Sequence, residues 1–362
     1  MNQVTKIVLS GGPCGGKTTV LSHIREKFSS LGFTVYIVPE TPTLLLMAGV
    51  SNKTLDFNDN VAFQTAIIRI QMALEAEFLR LAEAQDKPVL IVFDRGLMDG
   101  RAFCTDAEWT TVLSNIGTVT PMLRDKGYDA VIHLETAAAG APDGYTLENN
   151  PARKETAQQA IEADRRIRSA WTGCPKLKII KSNPDFNAKI RAVLKVVSNI
   201  VGVPAPMEIE RKFLVLNKPT EKFECEEISI CQTYLVPSSI DIEERVRKRS
   251  QSGVDIFFRT IKREQRDGQC VEEERKISGR EYYNLLLRRD CDAGEIRKIR
   301  KCFLWGGHYF ELDEYIFPKV DFLILEVELE SIDEEFKLPP FISIDKEVTG
   351  NDSYSNYGIS RL

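Results

Sequence analysis

The first 200 residues alternate short apolar runs with longer stretches in which apolar residues recur every three or four positions. Runs of strand length lie at Ile7–Ser10, Thr34–Val38, Val89–Phe93, Ala130–Leu134 and Leu177–Ile180. The helical spacing lies at Thr18–Leu31, Ala62–Ala84, Ala152–Trp171 and Phe186–Ile200. Strands that alternate with helices are typical of a parallel sheet with helices on both faces. We therefore predict an α/β domain over residues 1–203.

The pattern changes after the uncharged segment Val201–Pro206, which cannot continue a helix. Strand-like runs then dominate, and one helical stretch, Gly279–Arg289, interrupts them. The runs cover residues 207–215, 228–236, 241–249, 254–262, 269–277, 295–303, 308–316 and 321–330. Eight closely spaced strands predict a second, α+β domain over 207–362, a closed antiparallel barrel.

Composition and charge narrow the functional classes. The net charge of −5 gives no basis for stable nucleic-acid binding through bulk charge. The eight cysteines show no C-x-x-C spacing and only three histidines are present, which argues against structural zinc and favours a reducing compartment. No signal peptide and no apolar run of about 18 residues is visible, so we expect a cytoplasmic protein.

A glycine-rich run follows the first predicted strand and opens the first predicted helix. It fits G-x-x-x-x-G-K-[ST], in which backbone N–H groups wrap a phosphate, the lysine reaches the β- and γ-phosphates, and the hydroxyl binds Mg²⁺. The alternative is a glycine-rich turn without a ligand. The predicted nucleotide-binding residues are Gly11, Gly12, Pro13, Cys14, Gly15, Gly16, Lys17, Thr18 and Thr19, with Thr18 also a metal ligand.

Two acidic residues follow other predicted strands of this domain. Asp94 ends the run Val89–Phe93, in the place of a Walker-B carboxylate that holds Mg²⁺; the alternative is a helix-cap or turn aspartate. Glu40 follows Thr34–Val38, at the sheet edge where ligand crevices open. It is either a general base or substrate ligand, or a solvated loop residue. Asp94 and Glu40 are the predicted catalytic residues.

The glycine-rich run, Pro-Glu-Thr at 39–41 and Phe-Asp-Arg-Gly at 93–96 resemble P-loop proteins of the AAA and nucleoside-kinase type. In such kinases a basic lid closes over the phosphates. The resemblance implies Arg153, Lys154 and Arg165 as lid residues beside a mobile loop over 137–150, with Arg153 a nucleotide ligand; the alternative is a solvated charged helix face. No guanine-reading Asn-Lys-x-Asp stands at a suitable place, so GTP and ATP both stay open.

Charged residues recur at every second position along the predicted strands of the second domain. Alternate residues of a strand share a face, so each pair is most simply the wet outer face of a strand. If the faces instead point inward, basic residues cradle a polyphosphate opposite one or two divalent ions. The residues are Glu208, Glu210, Lys212, Arg245, Arg247, Lys262, Glu272, Glu274, Lys298, Arg300, Glu311, Asp313, Glu326 and Glu328.

Glu-Ile-Glu-Arg-Lys-Phe-Leu-Val at 208–215 and the closing run at 347–356 resemble the CYTH, or triphosphate-tunnel, superfamily of triphosphatases and some adenylyl cyclases. The run Glu272–Glu274 leaves the strand register of Glu272 and Glu274 open by one residue. A one-residue slip would turn both side chains outward. The resemblance implies Mg²⁺ or Mn²⁺ at Glu208, Glu210, Glu326 and Glu328. It implies phosphate contacts from Lys212, Arg245, Arg247, Lys262, Lys298 and Arg300.

A P-loop domain followed by a tunnel domain resembles the plant-type fusion with a uridine-kinase-like domain and, more closely in length, the TRPL translocation defect protein family. The latter implies a regulatory GTP-binding protein that engages a polyphosphate or phosphoinositide headgroup, makes peripheral membrane contact and serves membrane-protein transport. Two enzymatic alternatives stay open. One is a Mg²⁺- or Mn²⁺-dependent triphosphatase at the tunnel, and the other is a small-molecule kinase at the P-loop.

Overall fold

The computed structural model describes residues 3–50, 59–141, 156–203, 209–237, 242–264, 270–329 and 334–362. The chain divides into two compact units, Met1–Val201 and Gly202–Leu362. Each unit has its own sheet and its own apolar core. Within the described ranges, no helix is both long enough and apolar enough to cross a membrane.

The first unit is built on a parallel sheet in the order β2-β3-β1-β4-β5. The interior strands β3 and β4 are mostly apolar and are buried along almost their whole length, as in parallel sheets with helices on both faces, which confirms the predicted α/β class. Every predicted run forms a strand, in some cases extended by a few residues. The strands are β1 Val4–Gly11, β2 Thr34–Val38, β3 Val89–Asp94, β4 Ala130–Leu134 and β5 Leu177–Ile180.

The helices of the first unit include the four predicted ones and several shorter ones. The loop predicted over 137–150 begins as a short helix, and its residues 142–150 lie outside the described ranges. The short helices carry too few apolar positions to show a helical period. The helices are α1 Lys17–Ser30, α2 Thr41–Met47, α3 Asn60–Glu83, α4 Asp106–Ile116, α5 Thr120–Arg124, α6 Ala137–Gly140, α7 Ala157–Ala170 and α8 Phe186–Val201.

The second unit is an antiparallel sheet in the order β10-β9-β8-β7-β11-β12-β13-β6-β14. Among the described residues no backbone pairing joins its end strands β10 and β14, so the predicted closed ring of eight strands is replaced there by a nine-stranded sheet. The strands are β6 Ile209–Val215, β7 Glu226–Leu235, β8 Ile242–Gln251, β9 Val254–Glu264, β10 Cys270–Ile277, β11 Ile296–Trp305, β12 His308–Phe317, β13 Leu323–Leu329 and β14 Ile344–Glu347.

The added strand β14 pairs with β6, and its sequence, Ile-Asp-Lys-Glu, has a single apolar residue. No alternation was therefore visible in it. Two helices complete the unit: α9 Gly279–Leu285, which continues as a 3₁₀ turn over Leu286–Arg288, and α10 Asn356–Ser360.

One face of strands β6, β11, β12 and β13 carries the largest apolar core of this unit. The segment that contains Phe336, Phe341 and Ile342 covers that face. Because side chains alternate, the residues between these core positions point to the opposite face of the sheet. The core residues on the four strands are Phe213, Val215, Phe303, Phe310, Leu312, Leu323, Leu325, Val327 and Leu329.

Candidate functional site

The predicted phosphate-binding run forms the loop between β1 and α1. Gly11 must be glycine because a Cβ atom there would lie 2.4 Å from the carbonyl oxygen of Leu134. Gly16 has φ +85°, and a Cβ would lie 2.5 Å from the Phe186 ring. Lys17 then begins α1, so the unpaired N–H groups of the first helical turn border the loop. This geometry is that of an anion-binding helix start.

The carboxyl ends of β2 and β3 bring the predicted acidic residues to this loop. The Lys17 Nζ donates to the Gly11 carbonyl oxygen at 3.3 Å, and Arg95 Nη1 lies 3.4 Å from the same oxygen. Arg95 also forms an ion pair with Glu40, so Glu40 is not a solvated loop residue. Asp94 precedes Arg95, which holds a left-handed backbone at φ 72°. The loop therefore faces two cations and two carboxylates.

Asp99 is a third carboxylate beside the loop between β1 and α1, and it is not among the residues predicted from the sequence. It begins the 3₁₀ turn Asp99–Phe103 and is buried. Its Oδ1 accepts from Ser10 Oγ at 2.6 Å and from Trp171 Nε1 at 2.7 Å, and its Oδ2 lies 3.7 Å from Arg95 Nη1. Ser10 and Trp171 are distant from Asp99 in sequence, so no local pattern indicates these two contacts.

Burial and charge shift the pKa values of this cluster in different directions. Burial, with the Arg95 charge, lowers the pKa of Lys17 to about 8. Burial raises the pKa of Asp94 despite the opposing charge of Lys17. Burial also disfavours ionised Glu40, but the charges of Arg95 and Lys17 outweigh it and lower the pKa of Glu40.

One oxygen of Asp94, Oδ1, is buried and has no hydrogen-bond partner among the residues that the structure describes. Asp94 aligns with Leu9 of β1, just ahead of the phosphate loop. Thr18 lies in the first turn of α1. An unpaired carboxylate oxygen and a hydroxyl are ligands that Mg²⁺ prefers, so Asp94 and Thr18 fit a Mg²⁺ ion beside a phosphate chain.

Of the three predicted lid residues, the structure describes Arg165. Arg153 and Lys154 lie outside the described residues. Arg165 is on α7, where its exposed side chain pairs with Glu162 at 2.9 Å. That pair corresponds to the solvated helix face that was the alternative.

Two other basic residues lie buried beside the end of β4. Arg168 of α7 has Nη1 3.6 Å from Glu135 Oε1, and within the described ranges its buried Nε and Nη1 atoms have no hydrogen-bond partner. Lys189 of α8 donates to the Glu135 carbonyl oxygen at 2.6 Å, and burial lowers the pKa of Lys189 to about 8. Neither residue had a distinguishing signal in the sequence.

In the second unit, strand register places the charged residues of adjacent strands on one face, here called the charged face. Lys212 of β6 stands opposite Glu326 of β13, and Glu326 stands opposite Glu311 of β12. Arg300 of β11 stands opposite Asp313 of β12. Directly opposed residues of antiparallel strands point the same way. The apolar core occupies the other face of these strands.

The charged face continues across β7 to β8. Gln232 of β7 stands opposite both Ile296 of β11 and Arg247 of β8. Ile296 is two residues before Lys298, and Arg245 is two residues before Arg247. Strands β7, β8 and β11 thus present these residues to one side.

Glu274 of β10 also lies on the charged face. Thr260 of β9 stands opposite both Arg245 and Glu274. Glu272 pairs in register with Lys262, two positions along. The one-residue slip that would turn Glu274 outward is therefore absent.

Arg300 is the centre of the charged face. It donates to both oxygens of Asp313 at 2.7 and 2.6 Å and to Glu326 at 2.8 Å, and it also pairs with Glu311. Lys298 pairs with the same Asp313. Lys298, Arg300, Asp313 and Glu326 are each at most 8% exposed, so this is not a wet outer face.

Further ion pairs extend across the charged face on both sides of Arg300. Lys212 Nζ lies 2.9 Å from Glu210 and 3.1 Å from Glu326. Arg247 pairs with Glu274. Each of these cations therefore lies next to at least one carboxylate of the charged face.

The pKa values of this network follow the ion pairs. Burial alone would raise the pKa of Glu326, but Lys212 and Arg300 lower it strongly. Burial would lower the pKa of Lys212, and the charges of Glu326 and Glu210 raise it instead. Glu311 differs, because its burial raises its pKa despite Arg300.

The carboxylates predicted to hold a metal are partly placed. Glu208 lies outside the described residues. Glu210 stands directly opposite Glu328 on the neighbouring strand, and Glu326 lies two positions from Glu328. Within the described ranges, no three or more His, Cys, Asp or Glu side chains converge as a ready metal cluster. Carboxylate oxygens are the ligands that hard divalent ions prefer, but Lys212 pairs with Glu210 and Glu326, so an ion at these residues would have to displace the ammonium.

Comparison with known proteins follows this division of the chain. Residues 6–189 match a family described as an AAA domain. The chain belongs to this AAA domain family. It is also 30% identical over 149 residues to an inorganic triphosphatase of Acetivibrio thermocellus, a match that covers 41% of this chain and 90% of that protein. The AAA domain protein is thus also a member of the family of that triphosphatase.

Two solved structures also resemble this AAA domain protein over part of its length. An inorganic triphosphatase is 30% identical, with 43% of this chain and 95% of that chain covered and a TM-score of 0.31. A candidate adenylyl cyclase from Hippeastrum, with a dominant triphosphatase activity, is 18% identical, with 34% and 80% covered and a TM-score of 0.26.

Proposed function

We propose that the chain binds a nucleoside triphosphate at the loop Gly11–Thr18 and acts as a metal-dependent triphosphatase at the charged face of its second unit. The observation that carries the proposal is the register that places carboxylates and cations of adjacent strands on one buried face. The inorganic triphosphatase that is 30% identical over 149 residues supports it.

The charged face has the groups that triphosphate hydrolysis needs. The cations bind the phosphate oxygens, while Glu210, Glu326 and Glu328 hold Mg²⁺ or Mn²⁺. A divalent ion, when bound, offsets phosphate charge and activates water for in-line attack on the terminal phosphate. Because Glu326 and Glu311 pair with Arg300, an incoming phosphate takes their place on the guanidinium and releases a carboxylate. The phosphate-binding cations are Lys212, Arg245, Arg247, Lys262, Lys298 and Arg300.

The test is phosphate release from tripolyphosphate and from nucleoside triphosphates with Mg²⁺ or Mn²⁺. Arg247→Ala and Glu210→Gln are each expected to reduce kcat/KM by about 10-fold or more, because each removes a charged contact to the reacting groups. Lys248→Ala is the matched control, since Lys248 is next to Arg247 but on the other face of β8. Purified protein that releases no phosphate from any of these substrates contradicts the hydrolytic proposal.

The nucleotide site is tested separately by titration calorimetry with Mg²⁺ and GTP or ATP. Lys17→Ala is expected to weaken binding by about 10-fold or more, because the ammonium meets the phosphate charge. Arg25→Ala, on the exposed side of the same helix, is the control. Unchanged affinity in Lys17→Ala would exclude the loop as the nucleotide site.

Three finer proposals rest on the resemblance to the TRPL translocation defect protein family. They are GTP as the preferred nucleotide, a phosphoinositide headgroup as a ligand of the charged face, and a role in membrane-protein transport with peripheral membrane contact. Competition between GTP and ATP tests the first. Co-sedimentation with liposomes that contain or lack phosphoinositide tests the second, and binding that ignores headgroup phosphorylation counts against it.

A further inference from the structure

We propose that Asp164 is a positioning residue for the phosphate loop, which it holds from the side away from the nucleotide. The inference rests on the proposed nucleotide site. Asp164 belongs to α7, far in sequence from the loop, and is only 3% exposed. It is not one of the residues expected to contact phosphate.

Three donors from different parts of the unit converge on one oxygen of this side chain. Oδ1 of Asp164 accepts from the backbone nitrogen of Gly12 at 2.9 Å, from the backbone nitrogen of Thr136 at 3.1 Å, and from His133 Nε2 at 3.2 Å. Burial disfavours the ionised carboxyl, but the His133 and Gly12 hydrogen bonds lower the pKa of Asp164. Hydrogen bonds to an ionised acceptor are among the stronger ones.

The loop is held from this side at two further points. Thr136 Oγ1 donates to the Pro13 carbonyl oxygen at 2.5 Å, and the Ala137 nitrogen donates to the Cys14 carbonyl oxygen at 3.3 Å. Residues 12–14 are therefore fastened to the end of β4 and to α7. The opposite end of the run, at Lys17, is left to meet the phosphates.

The approach of Asp164 to the loop is close enough to require glycine. A Cβ atom on Gly12 would lie 2.6 Å from Asp164 Oδ1 and 2.7 Å from its Cβ. A glycine-rich loop has few side chains of its own to restrict its backbone, so it depends on anchors from neighbouring elements. Asp164 is the anchor that ties the first half of the loop to two other elements at once.

Without the carboxylate, buried N–H groups of Gly12 and Thr136 lose their acceptor. The loop then samples conformations that do not match the phosphates, and binding must include the cost of ordering it. Asp164→Ala is therefore expected to raise the Kd for nucleotide by about 10-fold or more. Asp164→Asn is expected to stay within about 3-fold, because its amide oxygen can accept the same hydrogen bonds.

The experiment uses the full chain and calorimetric titration with Mg²⁺ and either GTP or ATP, together with thermal melts. Asp125→Ala is the matched control, because Asp125 is also a buried aspartate of the first unit but pairs with Arg124 and does not touch the loop. It is expected to lower Tm without changing the Kd. Recovery in Asp164→Asn, with loss in Asp164→Ala, supports the positioning role.

Unchanged Kd in Asp164→Ala, or an equal loss of affinity in Asp125→Ala, overturns the inference. If Asp164→Ala does not fold, Asp164→Val replaces it, because its methyl groups fill similar space but accept no hydrogen bond, and the same rise is expected. Wild-type protein that binds neither nucleotide rejects the proposed nucleotide site itself, a result distinct from selective behaviour of the Asp164 variants.

Discussion

At the residue scale, the phosphate loop depends on an ammonium group in an unfavourable environment. Lys17 lies close to Arg95, and burial together with that guanidinium lowers the pKa of Lys17 to about 8. Bound phosphate would place further negative charge beside the Lys17 ammonium, and would raise the pKa of Lys17 again. Binding of nucleotide and binding of this proton are therefore linked.

The first prediction is a fall in nucleotide affinity at alkaline pH. Lys17 is charged below its pKa of about 8, so affinity is level there and decreases as pH rises through that value, by up to about 10-fold per unit. Kd values for Mg²⁺ and ATP from about pH 7 to 9.5 measure it. Arg25→Ala should show the same loss of affinity with rising pH, and Lys17→Met should show none. A wild-type Kd that does not change with pH would contradict a lowered pKa of Lys17.

A second unusual residue, Glu75, lies in a chain of buried polar groups. Its Oε1 accepts from Tyr128 OH at 2.6 Å and from Gln71 Nε2 at 3.0 Å, and Tyr128 OH accepts from the Leu97 nitrogen at 3.0 Å. Burial raises the pKa of Glu75 to about 7 in spite of these donors. The folded chain therefore binds this proton more tightly than the unfolded chain does.

The second prediction is that Glu75 destabilises the protein above neutral pH. An acid with a raised folded pKa costs stability as pH rises from its unfolded value, near 4.5, toward 7. Glu75→Gln keeps the acceptor and removes the charge, so it should match wild type at pH 4 and be about 3 kcal/mol more stable at pH 8. Urea unfolding measures this. Glu77→Gln, exposed on the same helix, should show no such difference.

At the element scale, the sequence located strands better than short helices. All five strands of the first sheet were predicted because parallel strands buried on both faces are apolar along their length. Helix α4 was missed although it has a full capping box, in which Thr105 and Glu108 exchange side-chain and backbone hydrogen bonds. The sequence signal for this helix is its pair of capping residues, and a period of apolar positions does not include them.

The third prediction concerns that cap. Thr105→Ala removes the acceptor of the Glu108 backbone nitrogen, so the free energy of unfolding should fall by about 1 kcal/mol. Thr110→Ala, the same change inside the same exposed helix, should cost little or add slightly to stability, because alanine has the higher helix propensity. Equal losses in the two variants would show that the cap does not contribute.

At the whole-molecule scale, each unit has its own core. The first is centred on Ile7, Leu9 and Val92, and the second on Phe213, Phe303 and Leu325. A unit that buries its own apolar surface has the means to fold alone. The predicted boundary, between residues 203 and 207, is close to the division of the chain after Val201.

The fourth prediction is that the fragments 1–203 and 207–362 fold separately. Each should give a cooperative thermal transition by circular dichroism, because no part of either core is removed. The first fragment should keep nucleotide binding, and the second should keep phosphate release. A fragment that is soluble but lacks a cooperative transition would contradict the division.

The sequence by itself determined the parallel α/β class, the glycine-rich run between the first strand and the first helix, and the charged pairs of the second unit. Each depends on residues that are close in sequence: an apolar run, the spacing of glycines, or charged residues at every second position. Tertiary structure alone decided that these pairs share a buried face, since a strand's pattern does not say which of its two faces meets the core. It alone brought Asp99 and Asp164 to the loop between β1 and α1, because their hydrogen-bond partners are 28 to 152 residues away and no local pattern records such contacts.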